Sequence, residues 1–212
     1  MSVAAIIPVH NGENFLEQAI ASVRAQTVTP EELLVVDDGS TDRTFEVAAR
    51  ARVSVLGVYD PGGQGHALNV GIRNTTSEFL TFLDHDDLWL PRKIELQLAA
   101  FELDEKLEAV AGYAEQFYEG TDRVDPPRAA RLTTCLMIRR AAMERVGPFR
   151  PELGHGMQLE WFARAHSFGL RLRILPDTLY RRRVHGQNST ITDPSRQGYM
   201  HALREIRKKP HG

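Results

Sequence analysis

Short apolar runs alternate with helical patterns along the first hundred residues, and this alternation restricts the fold more than any other feature of the sequence. Residues 3–9, 33–36, 53–58 and 79–83 have the composition of strands, and between them apolar residues recur every three or four positions. Such alternation is typical of a parallel sheet covered by helices. The 212-residue chain is long enough for one such domain but hardly for two. We therefore predict a single α/β domain with a mixed, mainly parallel sheet.

The run at 79–83 stops at three carboxylates within four positions, Asp84, Asp86 and Asp87, and a helix is predicted from about residue 90. Clustered carboxylates repel one another unless a positive charge lies between them, so a hard divalent cation with oxygen ligands would suit this strand end. From these residues alone the alternative is an acidic turn in which Asp87 caps the helix.

A loop rich in glycine and proline is predicted at 60–66, at the start of a helix. It does not match the dinucleotide-binding fingerprint, because Leu68 stands where glycine or alanine is required, and the lysine of a phosphate-binding loop is absent. The glycines suit a turn or a close approach of the backbone to a ligand.

Charge is distributed unevenly along the chain. Residues 1–127 contain 9 Lys and Arg against 22 Asp and Glu, whereas residues 128–212 contain 17 against 6. Either the two halves attract each other, or an acidic metal-binding half faces a basic half that meets a phosphate-bearing substrate, an anionic acceptor or a membrane surface. No nucleic-acid partner is predicted, because the basic residues lack interleaved aromatic residues. The single cysteine, Cys135, excludes an internal disulfide and a cysteine-built zinc site.

Several further segments can be assigned from their composition. The sequence offers no apolar stretch of transmembrane length and no charged leader, so we expect a cytoplasmic protein, with peripheral membrane contact compatible with its basic half. Residues 119–130 are predicted to be a mobile loop and residues 132–138 a strand. Two separate strands are expected at 171–175 and 179–184, followed by a basic surface helix at 195–209.

Six motifs, taken in order, resemble family 2 glycosyltransferases of the Rossmann-like GT-A fold over residues 6–189. They are IPVHNG at 7–12, VVDDGSTD at 35–42, ALNVGI at 67–72, FLDHDD at 82–87, GPF at 147–149 and RVHGQNS at 183–189. The resemblance implies a nucleotide-binding half at 1–103, an acceptor half at 104–194 and a basic tail at 195–212.

The resemblance also implies a nucleoside-diphosphate sugar as donor, UDP being favoured while GDP and dTDP stay open. Asp38 would face the base with Asp37 beside it, Asp84 would approach the ribose, and Asp86 would bind Mn²⁺ or Mg²⁺ together with His185. The full set of expected donor-binding residues is Pro8, His10, Asn11, Asp37, Asp38, Asn69, Asp84, His85, Asp86 and Arg183. On the last strand, Arg181 and Arg183 are expected to share a face that meets phosphate, with Arg182 pointing away.

One position departs from the family pattern. Inverting members use an Asp as the base that accepts the proton of the acceptor hydroxyl, but here that position holds Gln158, an amide that does not accept a proton usefully. Glu160 is our first candidate for the base, although two residues along a helix is a rotation of about 200°. His155, in a turn flanked by glycines, is the second.

The resemblance therefore implies a metal-dependent, inverting hexosyltransferase of cell-surface polysaccharide biosynthesis. Its acceptor would be a glycan, a lipid-linked sugar or another hydroxyl compound. The alternative is a degenerate relative that binds nucleotide or sugar without turnover, as Gln158 suggests. A nucleotidyltransferase is disfavoured, because the basic glycine-rich loop expected near the amino terminus of such enzymes is absent.

Overall fold

The computed structural model describes residues 1–58, 60–130, 132–186, 188, 200–203 and 206. Within this part of the chain, nine strands form one sheet in the order β3-β2-β1-β4-β8-β6-β9-β5, and β7 pairs with β6. The strands are β1 Val3–Val9, β2 Glu32–Asp37, β3 Ser54–Gly57, β4 Phe79–Phe82, β5 Leu88–Trp89, β6 Ala109–Tyr118, β7 Val124–Ala130, β8 Met137–Arg139 and β9 Leu172–Val184.

The sheet is mixed and mainly parallel, which confirms the predicted class. Strands β1 to β4 run parallel to one another, and β6 is parallel to β9. Strand β8 is antiparallel to both β4 and β6, and β5 is antiparallel to β9. The carboxyl ends of β1, β2 and β4 therefore meet along one edge, where ligands bind in open α/β sheets.

Helices cover both faces of the sheet. They are α1 Leu16–Arg24, α2 Thr44–Arg50, α3 Gln64–Arg73, α4 Lys93–Leu103, α5 Arg140–Val146 and α6 Met157–Ser167, with 3₁₀ helices at Thr133–Cys135 and Pro151–Gly156. Strand β1 is buried throughout and divides its side chains between two cores. Ala5 and Ile7 pack with α1, α2 and α4, whereas Ala4 and Ile6 pack with α3, α5 and α6. This alternation fits a strand buried on both faces.

Several local predictions were wrong. Residues 119–130 are not a mobile loop, since β7 forms a hairpin with β6, and an exposed edge strand tolerates the two prolines it contains. The two strands expected at 171–175 and 179–184 are one long strand, β9, whose pairing with β6 shifts register near Tyr113. Residues 132–138 begin as a 3₁₀ helix before β8.

Two helix starts are informative. Asn14 and Glu17 have the spacing of a capping box, which predicts a helix start, but α1 begins at Leu16 without a side-chain cap. The fourth helix begins at Lys93, beyond Pro91. Most of the predicted tail helix at 195–209 lies outside the described residues. Among the described helices, none has the length and apolar content needed to cross a bilayer.

Candidate active site

A cleft of about 2100 Å³ opens at the carboxyl ends of β1, β2 and β4. One side, which we name the strand-end wall, consists of the last two residues of β1 and the segments that follow these strands, residues 8–11, 38–42 and 84–87. The other side, the helix wall, consists of Pro151–Gly156 and the first turn of α6, residues 157–159. The end of β9 and the segment after it close the cleft between the two walls, through Tyr180, Arg182 and His185.

The cleft collects most of the predicted site residues. Those that line it are Pro8, His10, Asn11, Asp38, Asp84, His85, Asp86, His155 and His185. Those that lie outside its lining are Asp37, Asn69, Glu160 and Arg183. The second group shares one property, which is that its polar atoms are engaged in holding the scaffold.

The segments after β1 and β2 are tied to each other. A ring nitrogen of His10, Nδ1, lies 3.0 Å from the carbonyl oxygen of Asp38. The backbone N–H of Asn11 donates to Ser40 Oγ at 2.9 Å, and Asn11 Oδ1 accepts the N–H of Thr41 at 2.8 Å. Asn11 has a φ of 54°, in the left-handed region that asparagine tolerates better than most residues. This part of the strand-end wall is consequently fixed before any ligand binds.

Asp38 connects the strand end to the glycine loop. Its carboxylate accepts the N–H of Gly62 at 3.1 Å and that of Gly63 at 2.6 Å, just before α3 begins. Asp37 is buried beside it, and its Oδ1 accepts the N–H of Ser40 at 2.9 Å, which makes Asp37 a scaffold residue of the turn. The glycine loop is therefore held against β2, with Asp38 at the cleft surface.

The carboxylates after β4 repel one another in a largely buried setting. Burial and the neighbouring Asp86 charge raise the pKa of Asp84 to about 7, and Gln64 Nε2 donates to Asp84 Oδ1 at 2.6 Å. Burial, with the charges of Asp84 and Asp86, also holds the pKa of Asp87 well above its usual range. Burial lowers the pKa of His85. A cation placed here would relieve the repulsion.

Asp86 and His185 come together across the cleft although they are 99 positions apart. Asp86 Oδ2 lies 3.0 Å from His185 Nε2 and accepts the amide N–H of Asn188 at 3.1 Å. The His185 ring packs against Phe15 with centroids 4.6 Å apart. Among the described residues, no three His, Cys, Asp or Glu side chains form a complete metal cage. One carboxylate and one imidazole nevertheless fit Mn²⁺ or Mg²⁺ that takes its remaining oxygens from substrate phosphates and water.

The prediction that Arg181 and Arg183 face the donor while Arg182 points away was wrong. Arg182 lines the cleft, and its Nη1 donates to Gln116 at 2.8 Å. Arg183 is buried; it lies over the Phe15 ring at 4.6 Å and donates to the carbonyl oxygen of Asp86 and to Glu119. Arg181 pairs with Glu115. Alternation along the strand was predicted correctly, but the side that meets the cleft was not.

Asn69 is used within the fold. Its amide oxygen accepts the N–H of Phe149, and its amide nitrogen donates to the carbonyl oxygen of the same residue, both at 2.9 Å. This pair fastens α3 to the chain that leads into the helix wall. The expected contact between Asn69 and the donor is therefore not supported by this geometry, because both ends of the side chain are occupied.

The two candidates for the base differ in position. Glu160 is only 4% exposed and is held by Arg164, whose Nε and Nη2 lie 3.0 and 3.1 Å from its two oxygens. Arg150 approaches the same carboxylate at 3.7 Å. Glu160 is buried and does not line the cleft, so the structure does not support it as a base. His155 is half-buried and lines the cleft. Gln158 lines it too, with Oε1 accepting the N–H of Thr133 at 3.2 Å.

Three residues in the cleft were missed. Gln64 holds Asp84, Tyr180 lies on the same face of β9 as Arg182, and Glu152 stands on the helix wall. The Tyr180 hydroxyl is buried and has no hydrogen-bond partner among the described residues. Strand alternation places Tyr180 with Arg182. Glu152 follows the GPF motif in a segment rich in glycine, and binding and catalytic residues often lie in such connecting segments.

A family model described as Glycosyl transferase family 2 matches residues 4–175. A Rickettsia typhi protein described as an uncharacterized glycosyltransferase is 45% identical over 97 residues, which make up 45% of this chain and 30% of that protein. The Escherichia coli UDP-Glc:alpha-D-GlcNAc-diphosphoundecaprenol beta-1,3-glucosyltransferase WfgD is 36% identical over 100 residues, which make up 46% of this chain and 40% of that protein. The matches thus span less than half the length of these curated relatives.

Solved structures share the whole fold. S. aureus TarS in complex with UDP-GlcNAc superposes with a TM-score of 0.79 and 21% identity, over 97% of this chain and 65% of that chain. Glucosyl-3-phosphoglycerate synthase from Mycobacterium tuberculosis, in complex with Mn²⁺, UDP and glucosyl-3-phosphoglycerate, gives a TM-score of 0.73 and 21% identity, over 99% of this chain and 81% of that chain. At this identity the likeness establishes the fold, which is GT-A.

Proposed function

This chain belongs to glycosyl transferase family 2, and on that premise we propose that it moves a hexosyl group from a nucleoside-diphosphate sugar to an acceptor hydroxyl. UDP is the favoured nucleotide, since the similar structures of TarS and of glucosyl-3-phosphoglycerate synthase are complexes with UDP-GlcNAc and with UDP. The observation that carries the proposal is the meeting of Asp86 and His185 at the end of β4, in a cleft next to Asp84.

Transfer breaks the bond between the sugar and the diphosphate, and negative charge develops on the leaving group. A divalent ion, when bound, stabilises that charge as a Lewis acid. Asp86 and His185 would hold the ion. Arg182, on the cleft face of β9, would place a positive charge near the diphosphate. Asp84 would approach the ribose. The proposal of metal dependence rests on this donor set and on the Mn²⁺ named for the similar mycobacterial enzyme.

The strand-end wall would bind the nucleotide. His10, Asn11 and Asp38 supply polar groups on this wall, and Pro8 contributes an apolar surface beside them. Because hydrogen bonds within the protein already fix these segments, binding a base and ribose there costs little further ordering. Asp38 would face the base and Asp84 the ribose.

The acceptor would approach from the helix wall, opposite the diphosphate, and the anomeric configuration would invert. WfgD acts, by its name, on a lipid-linked diphosphate sugar. An acceptor of that kind, or another anionic glycan, also suits the excess of Lys and Arg in residues 128–212. A lipid-linked acceptor would bring the protein into peripheral contact with a membrane.

Gln158 favours a second candidate function. An amide at the usual position of the base is compatible with a protein that binds a nucleotide sugar but does not transfer it. The two functions share the strand-end wall and differ only in turnover, so binding and turnover must be measured separately.

The test is a calorimetric titration of UDP, GDP and dTDP into the protein with and without Mn²⁺, repeated on Asp86→Asn. We expect UDP to bind only with Mn²⁺, and Asp86→Asn to weaken that binding at least about 10-fold, because loss of a mere outer-shell partner of a metal already costs about 10–100-fold. Asp122→Asn, an exposed acid in the turn between β6 and β7, is the control and should bind as the wild type does. Absence of binding by all three nucleotides would refute the donor site.

A further inference from the structure

Among the described residues, seven carboxylates line the cleft, and six of them are already engaged by protein groups. Glu13 is held by Arg43, Asp42 by Thr44, Asp38 by the glycine loop, Asp84 by Gln64, Asp86 by His185 and Asp87 by the backbone of Arg183. The seventh is Glu152. Within the part of the chain that the structure describes, its carboxylate makes no hydrogen bond or ion pair, and its side chain is exposed. Its proton-accepting capacity is therefore unused.

The backbone that carries Glu152 is firmly placed. Leu153, the next residue, is 1% exposed within the core shared by α3, α5 and α6. Pro151 packs on the first turn of α3, where a Cβ added to Gly65 would lie 3.2 Å from Pro151 Cα. The same turn carries Gln64, which holds Asp84. Glu152 is thus a free carboxylate on a fixed segment that adjoins the donor side of the cleft.

The other groups of the helix wall are less suited to accept a proton. Gln158 is an amide, and its oxygen is occupied by the N–H of Thr133. Glu160 is buried in the ion pair with Arg164 and does not line the cleft. His155 lines the cleft and is the competing candidate.

We propose that Glu152 is the general base of this transferase, replacing the carboxylate that Gln158 lacks. The inference rests on the proposed glycosyl transfer. The acceptor oxygen forms a bond to the anomeric carbon, and the bond from that carbon to the diphosphate oxygen breaks, its electron pair leaving with the diphosphate. The proton of the acceptor hydroxyl passes to the Glu152 carboxylate and is then released to water.

The test measures UDP release from UDP-glucose and from UDP-GlcNAc with Mn²⁺, with water as the acceptor, beside calorimetric titration of UDP. Glu152→Gln should lower turnover at least about 100-fold, within the range typical for loss of a general base. Its affinity for UDP should stay within about twofold of the wild-type value, because the nucleotide binds on the other wall. Glu152→Asp should retain partial turnover. Glu144→Gln, an exposed acid on α5 outside the cleft, is the matched control.

The outcomes separate this inference from the function on which it rests. Turnover by Glu152→Gln that matches the control would overturn the role of Glu152, and a loss on His155→Ala in the same assay would transfer that role to the histidine. A wild-type protein that binds UDP but releases none from either sugar would overturn the inference and favour the binding protein. Failure of the wild type to bind UDP at all would count against the donor site itself.

Discussion

Polar groups of the strand-end wall are bonded to other protein groups, whereas two polar groups of the described helix wall face the cleft without a protein partner. Asn11, Asp38 and Asp84 each bind a neighbouring segment of the protein. In the described part of the helix wall, Glu152 and the amide nitrogen of Gln158 have no protein partner. A preorganised wall suits a constant ligand such as a nucleotide, and an open one suits a ligand whose contacts must form anew. The four predictions below test this contrast.

The largest effect is expected behind the helix wall, where α6 contains a buried ion pair between Glu160 and Arg164. Glu160→Ala leaves Arg164 buried without its counter-charge, so the free energy of unfolding should fall by about 3–5 kcal/mol. Urea denaturation measures it, with exposed Glu144→Ala as the control. A variant that keeps its stability but loses turnover would give Glu160 a chemical role and contradict its assignment to the scaffold.

Asn69→Ala should come next. It leaves the buried N–H and carbonyl of Phe149 without partners, and each such group costs at least about 1 kcal/mol, so we expect a loss of at least about 2 kcal/mol. Asn74→Ala, which removes one exposed contact at the end of α3, should cost less than half as much. UDP affinity should be unchanged in both variants. Selective loss of UDP binding in Asn69→Ala would show that this residue contacts the donor, as first predicted.

Lys93, buried beneath β4, should make stability depend on pH. Its Nζ donates to Thr81 at 2.6 Å and to Gln97 at 2.9 Å, and burial lowers its pKa from 10.5 to about 7. Between those values the unfolded chain holds a proton that the folded chain has lost, so stability rises with pH. The expected contribution is about 1.4 kcal/mol per pH unit, and it vanishes below about pH 7, where both states are protonated.

Lys93→Met should remove that part of the slope in urea titrations between about pH 7 and 10, whereas exposed Lys106→Met should not. An unchanged slope in Lys93→Met would mean that the lysine keeps its charge in the folded protein. Thr81 of β4 and Gln97 of α4 would then be held by a charged ammonium group.

The smallest effect is expected for Gln158→Ala. Losing the contact with the N–H of Thr133 should reduce stability by about 1 kcal/mol, seen as a small drop in Tm. UDP affinity should not change, because the nucleotide is assigned to the opposite wall. A large loss of UDP affinity would show that both walls hold the nucleotide, and the contrast between them would fail.

Much of the fold was predictable because the parallel strands are buried on both faces and therefore stand out as short apolar runs. Strand β7 was not, because its two prolines and exposed residues resemble a loop, and its strand character depends on pairing with β6. The continuity of β9 likewise depends on β6 as a partner. The strand propensity of a segment depends on its own residues and does not predict which distant strand it pairs with.

The candidate site follows the same division. The acids after β2 and β4 were located by their position at strand ends, and they do line one cleft. The engagement of individual groups was not predictable, because it joins distant segments: Asn69 binds Phe149, and Arg183 reaches the backbone of Asp86 across 97 positions. Glu152 became a candidate only when the structure showed that the other acids of the cleft have partners.

The contact between Asp86 and His185 also sets an order of events during synthesis of the chain. At a translation rate of about 5–20 residues per second, the 99 positions between them correspond to roughly 5–20 s. During this interval the acids after β4 have been synthesised, while β9, which completes their surroundings, has not. Until β9 and His185 are made, a nascent chain therefore lacks one of the two residues of the proposed metal site.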